Sequence, residues 1–269
     1  MDIRRRQLLG ASAAGVAGAL AIPSDAVRAA PLTSALGRDA THYGVKPNSS
    51  EDQTRALQRA IDDAARLGAP LALPPGIYRT GPLRLQSGTQ LTGVRGATKL
   101  VFTGGPSLVS GEGADHIGLT NLTLDGGGLA LPDRRGLIHC LSGRDVRILD
   151  CEITGSGRNG IWLENVTGEI SGNLIIKTAT TAIVSFDALG LTVARNTILD
   201  AGDNGIEILR TAIGDDGSIV TGNRIENIKA GAGGSGQHGN AINAFRTGNV
   251  IVSGNRISDC DYSAVRGNS

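Results

Sequence analysis

Large rings are scarce in this chain of 269 residues, which carries one tryptophan, three tyrosines and three phenylalanines. A core of small aliphatic side chains is implied, and nucleic acid is not expected as a partner, because no aromatics interleave with basic residues to make a stacking platform. A charge excess is missing too: 26 basic against 25 acidic residues leave +1, so no long-range field steers an oppositely charged partner. Cysteine is limited to Cys140, Cys151 and Cys260, an odd number at unrelated positions, which argues for small buried thiols over a disulfide framework. The one weakly apolar run, at the N-terminus, is short for a membrane span, so no stable span is expected once it is removed. Asp200 with Asp203, and Asp215 with Asp216, match no calcium-loop spacing; neither a metal nor another cofactor is expected.

What the chain has in abundance is glycine, 40 residues, and a repeat. Ile138, Ile161, Ile183, Ile206, Ile242 and Val265 follow one another at 23, 22, 23, 36 and 23 residues. A second series, Cys151, Asn173, Asn196, Asn223 and Asn255, stands 10 residues before the next aliphatic slot, except Asn223, which stands 19 before Ile242. The long gap is therefore mostly an insertion after Asn223, containing KAGAGGSGQHG, with a smaller excess between Ile206 and Asn223, 17 residues against 12 or 13 elsewhere. A period near 22 signals stacked units that bury a continuous core only through their neighbours, and so one elongated domain. The asparagines are expected to form a turn-stabilising ladder, since Asn tolerates left-handed geometry and its amide bonds to backbone or to the next Asn.

Ahead of the repeat, residues 1–29 read as a signal peptide with small residues at Val27-Arg28-Ala29 for cleavage. Arg5 and Arg6 followed by Gln7, Leu8 and Leu9 resemble the twin-arginine export motif, which implies a periplasmic or secreted protein. Residues 30–50 form a linker and the start of a cap. Within 51–95, a helix is predicted at about 52–67, with a Ser50/Gln53 capping box, acidic residues in its first turn, Leu57, Ala60, Ile61 and Ala64 on one face and Gly68 at its end. Short aliphatic pieces between Gly and Pro turns follow as the first coils, and 96–269 holds the repeats. The chain stops just past an aliphatic slot without capping sequence, so further coils or another chain are expected to cover that end.

The stretch from Asp39 to Phe102, with its Tyr-Gly, acidic helix, Leu-Pro-Pro-Gly-Ile-Tyr and Gly-Pro-Leu-Arg-Leu segments, resembles the N-terminal portion of the pectate-lyase-like superfamily. With the twin-arginine start, the Asn-Gly coils also resemble a family of exported bacterial repeat proteins. These resemblances imply an all-β fold, a right-handed parallel β-helix of about 22-residue coils with an N-terminal capping helix. That superfamily includes lyases, hydrolases, epimerases, phage spikes and binding proteins, so the fold leaves function open. A leucine-rich repeat, the rival solenoid, finds support only in Leu119, Leu122 and Leu124, a pattern that does not recur.

Strand alternation puts His139, Trp162, Val184, Glu207, Asn243 and Arg266, one residue past the slot, on the outer face. Three residues past it come Leu141, Glu164, Phe186, Leu209, Phe245 and Asn268. With strands ~4.8 Å apart, these rows form a regular surface for an extended chain. Trp162, Phe186 and Phe245 are candidates to stack on sugar rings, with Glu164 and Asn243 as polar contacts. Asp203, three residues before its slot, and His238, four before the next, fall where register brings a carboxylate to an imidazole. This is similar to polygalacturonase-like hydrolases, but Asn204 stands in place of a second acid and Thr181 occupies the preceding coil. Glu207 is a candidate second carboxylate, although along an extended strand it would lie ~13 Å from Asp203. His238 as base, Asp203 orienting it and Arg266 or Arg210 stabilising charge would suit elimination or epimerisation of a uronate. Two readings result: an exported repeat protein that binds polysaccharide, acidic polymers among the candidates, or another envelope component along its outer face; alternatively, a polysaccharide-active lyase, epimerase or hydrolase.

Overall fold

A computed structural model describes residues 37–234 and 236–268; the signal peptide expected at 1–29 lies outside them. The chain winds as a right-handed parallel β-helix with three faces, one sheet of nine strands and two of eight, each built from every third strand except where the first strand, Arg38–Asp39, joins the nine-stranded sheet beside the next in sequence, Leu71–Ala72. The aliphatic slot defines one eight-stranded face, whose strands are Leu83–Arg84, Val109–Glu112, Gly136–Leu141, Asn159–Glu164, Ile183–Phe186, Ile206–Asp215, Ile242–Gly248 and Val265–Asn268. Ile138, Ile161, Ile183, Ile206, Ile242 and Val265 pair in that order, one per coil. The five isoleucines are fully buried. Each contributes ~1.5–3 kcal/mol of apolar transfer, and none can do so without the coil beside it.

The helix α1 spans Thr54–Arg66 and buries Leu57, Ala60, Ile61 and Ala64. Gly68, in the left-handed region at φ 60°, closes it. The expected Ser50/Gln53 box does not form. Gln53 is spent instead on the Lys46 backbone, accepting from its N–H at 2.9 Å and donating to its carbonyl at 2.7 Å, while Asp52 Oδ1 takes the Thr54 N–H. The acidic residues precede the first turn; they do not fill it.

The asparagine ladder is continuous. Each Oδ1 accepts from the backbone N–H one coil earlier, from Cys151, Asn173, Asn196 and Asn223 in turn. Each Nδ2 donates to a carbonyl of the preceding coil, and the amides bond to one another at 2.9–3.0 Å. Left-handed geometry, however, belongs to the residue before each rung: Asp150, Gly172, Arg195, Gly222 and Gly254. The asparagine supplies hydrogen bonds, and its predecessor turns the corner. Cys151, at the rung position without an amide, is buried with Cys140, and burial pushes both thiols up to about 12.

The two irregular spacings have separate outcomes. The smaller excess lengthens the strand Ile206–Asp215, whose register shifts between Leu209 and Gly214 and leaves Ile213 exposed. The larger one becomes a loop after the strand Arg224–Ile228 that folds back over the slot face. This loop, with the segment 126–135, changes the outer row. His139, Trp162, Val184 and Asn243 were expected to face solvent, yet all four are buried. Alternation is obeyed, but peripheral loops cover the outward side.

Candidate functional site

The insertion builds the site. Gly239, left-handed at φ 78°, donates its N–H to the Asp203 carbonyl, and Ala232 N–H reaches Asp203 Oδ1 at 3.3 Å. Asn204, fully buried, fastens the same loop: its Oδ1 accepts from the Asn240 N–H at 2.9 Å, and its Nδ2 donates to the Gln237 carbonyl at 3.2 Å. Gly205 permits this approach, because a Cβ there would run into the Ala241 carbonyl. Asn204 is thus a structural clamp that ties the insertion to its own coil.

The loop delivers His238 to Asp203, with Nδ1 2.8 Å from Oδ2. Asp203 is held by the loop and its imidazole partner, whereas the His238 side chain retains 28% exposure. One ring nitrogen is fixed by a carboxylate and the other is left for a ligand, an arrangement suited to a general base.

Glu207 completes the cluster. Its Oε1 accepts from Asn204 Nδ2 at 2.9 Å and its Oε2 from the Thr181 hydroxyl at 3.0 Å. Burial raises its pKa above the ordinary carboxylate value, Thr181 counteracts this, and the neighbouring Asp203 charge adds to the rise. The expected ~13 Å between Asp203 and Glu207 assumed an extended strand. That strand begins only at Ile206; residues 202–205 bend, and the Asp203 charge acts on Glu207 across space.

Asn243 pairs with Glu207 one coil on, and Arg266 with Asn243 the next, so the three side chains follow at ~4.8 Å steps. Asn243 Oδ1 is buried without a partner. Arg210, the alternative cation, is turned away: it donates to the Ala188 carbonyl and lies near Asp187 and Asp216.

The aromatic residues form no bare platform. Trp162 stacks on Phe186 two coils from Glu207, beneath Arg134, and Glu164 pairs with that same Arg134 at 3.5 Å. Phe245 is half-buried under Arg246, whose guanidinium carbon is 4.9 Å from the ring centroid. Arg134 and His139 were missed by sequence reasoning. His139 stood in the outer row as a register signal, but nothing in the spacing placed Arg134 over the rings. A separate depression of about 900 Å³ lies at the other end of the same face, lined by Gln58, Asp62, Arg84 and Glu112 among others. It shares no residue with the Asp203 cluster.

The model of the family described as rhamnogalacturonase A/epimerase, pectate lyase-like, matches residues 37–264. The chain belongs to that family. Among solved structures, the family member is similar to the catalytic unit of a GH87 α-1,3-glucanase from Streptomyces thermodiastaticus. The TM-score is 0.68 at 20% identity over 86% of this chain and 42% of that one. The N-terminal fragment of gene product 12 of bacteriophage phi29 gives 0.65 at 18%, over 88% and 44%. The A-module of the mannuronan C-5 epimerase AlgE6 from Azotobacter vinelandii gives 0.52 at 17%, over 86% and 75%. The chain spans less than half the length of the first two, and at these identities the likeness establishes the β-helix alone. No curated protein matches the chain.

Proposed function

We propose that this protein acts on a uronate-containing polysaccharide by proton abstraction, with elimination or epimerisation as the outcome. The observation that carries the reading is the Asp203–His238 hydrogen bond at 2.8 Å beside a half-buried carboxyl group of raised pKa, Glu207. His238 is the better base than Asp203, because both Asp203 oxygens are already engaged, by His238 and by the Ala232 N–H. In elimination, the free imidazole nitrogen takes the proton next to the uronate carboxyl group. The electron pair forms the new double bond, the bond to the leaving glycosidic oxygen breaks, and Glu207, whose burial favours the acid form, supplies that oxygen with a proton. Arg266 and Asn243 lie in line to hold the carboxyl group as negative charge develops on it. Epimerisation uses the same abstraction, with the proton returned to the opposite face.

A second reading is binding without turnover. It is favoured by the two hydrogen bonds that already occupy Glu207 and by Asn204 where a hydrolase would carry an acid. Incubating the protein with a panel of acidic polysaccharides separates the two. Unsaturated ends or altered uronate stereochemistry that disappear in His238→Ala support catalysis; retention on the polymer with no new product supports binding. Failure of every acidic polymer to react or bind overturns both. The proposal includes twin-arginine export, resting on Arg5-Arg6-Gln7-Leu8-Leu9. Replacing both arginines with lysine is expected to retain the protein in the cytoplasm of an expressing bacterium, as read by fractionation; unchanged export refutes that route.

A further inference from the structure

The row holding Glu207 continues back along the β-helix through Val184, Trp162, His139 and Ser110 to Arg84. Two coils before Glu207, about 10 Å at the inter-strand spacing, it carries a second group of uncommitted polar atoms. Trp162 and Phe186 stack with centroids 6.4 Å apart and planes 11° from parallel. The Arg134 guanidinium sits over both, 5.6 Å and 5.2 Å from the ring centroids.

A guanidinium resting on ring faces keeps its N–H edge for an acceptor. Among the described residues Arg134 meets one carboxylate, Glu164, at 3.5 Å, a charge contact too long to be a good hydrogen bond. Trp162 Nε1, beneath it, is buried without a partner, and so are both ring nitrogens of His139, which pairs with Trp162 from the preceding coil. His139 is 2% exposed and Trp162 8%. Burial lowers the His139 pKa to about 4, with the Arg135 charge adding to the effect, so its ring is neutral and can offer both a donor and an acceptor. Unpaired buried polar atoms cost ~1–3 kcal/mol each and are uncommon in folded proteins unless a ligand or water completes them.

We propose that Arg134, Trp162, Phe186 and His139 form an accessory subsite that takes a carboxylate-bearing sugar unit of the same polymer, two coils from the acid–base cluster. Arg134 moves off the rings to grip the carboxylate through two N–H bonds and releases Glu164. The sugar ring then occupies the vacated faces, and Trp162 Nε1 and His139 gain hydroxyl partners. The inference rests on the reading that the ligand is an acidic glycan, and it assigns what selects that glycan over a neutral one.

Trp162 is the chain's one tryptophan, so its fluorescence reports on this subsite directly. The full chain is titrated with galacturonate and mannuronate oligomers and with their carboxyl-reduced counterparts. A saturable emission change with an acidic series, absent with its reduced counterpart and weakened about tenfold or more in Arg134→Gln, is expected. Arg134→Lys, which keeps the charge and loses the fork, falls between the two. Equal affinity for the reduced oligomers, wild-type affinity in Arg134→Gln, or no response to either acidic series overturns the subsite. His238→Ala distinguishes this failure from that of the proposed reaction. A variant that loses turnover and keeps the fluorescence response leaves both standing. A wild-type protein that responds without turnover retains the subsite alone, and one that turns over without responding retains the reaction alone.

Discussion

Removing one rung of the asparagine ladder tests the stacking argument at its most exposed point. Asn196 accepts from the Asn173 N–H at 3.1 Å and from Asn173 Nδ2 at 2.9 Å, and donates to the Ile170 carbonyl at 2.9 Å and to Asn223 Oδ1 at 3.0 Å. In Asn196→Ala, Asn173 Nδ2 retains Ile148 and Asn223 Oδ1 retains the Asn196 backbone N–H. The Asn173 N–H, fully enclosed, is left with nothing. One orphaned donor at ~1–3 kcal/mol and three further bonds at ~0.5–1.5 kcal/mol each place the cost at about 2.5–7.5 kcal/mol. Asn255→Ala, at a half-buried rung with two accepted bonds and one donated, costs less. Urea unfolding followed by circular dichroism measures the difference as a shift in midpoint. Because repeat proteins can lose cooperativity, a change in slope would show that coils on either side of the rung had uncoupled. A loss below about 1 kcal/mol for Asn196→Ala would mean that water replaces the rung, and the ladder argument would be refuted.

The remaining predictions concern the site. Asp203→Asn keeps the shape of the dyad and removes the charge that orients His238; with His238→Ala, it is expected to lower any turnover by about 10²–10⁴-fold while polymer retention persists, measured by product formation and pull-down. Burial raises the Glu207 pKa in the folded chain, so the proton is held more tightly folded than unfolded. Its contribution to stability is full below the ordinary glutamate value of about 4.3 and is lost as pH rises through the folded value. Glu207→Gln, which can still accept from Asn204 and donate to Thr181, is therefore expected to raise the melting temperature at neutral pH and to flatten its decline above that value. A melting temperature as pH-dependent as wild type would show that another group titrates there.

Much of the architecture was legible because a solenoid writes its geometry into spacing. The column from Ile138 to Val265 and the rungs from Asn173 to Asn255 each occupy one position per coil, and periodic burial, complete from Ile138 to Ile242 but not at Val265, which is 48% exposed, or periodic hydrogen bonding leaves a periodic residue. The cap was partly legible. The apolar face Leu57–Ala60–Ile61–Ala64 follows from 3.6-residue periodicity, but the capping box failed because Gln53 has a competing partner in Lys46, seven residues away, that local patterning does not reveal.

The site divides in the same way. Register alone suggested that Asp203 and His238 lie on adjacent coils, since each stands a few residues before its slot. That Glu207 shares their cluster depended on the bend at 202–205, which an extended-strand estimate could not supply. The Arg134 cover on Trp162 and Phe186 depended on the 126–135 segment, which carries no repeat and so leaves no signature.

What the sequence determined by itself is the periodic part: a stacked coil, its buried aliphatic column and its asparagine turns, because each unit repeats the same local solution to burying one strand face. What only the tertiary structure decided is how the two non-repeating loops fold back over the outer face. That folding buries His139, Trp162 and Asn243, fixes His238 against Asp203 and raises the pKa of Glu207, since burial and charge proximity depend on what lies across space.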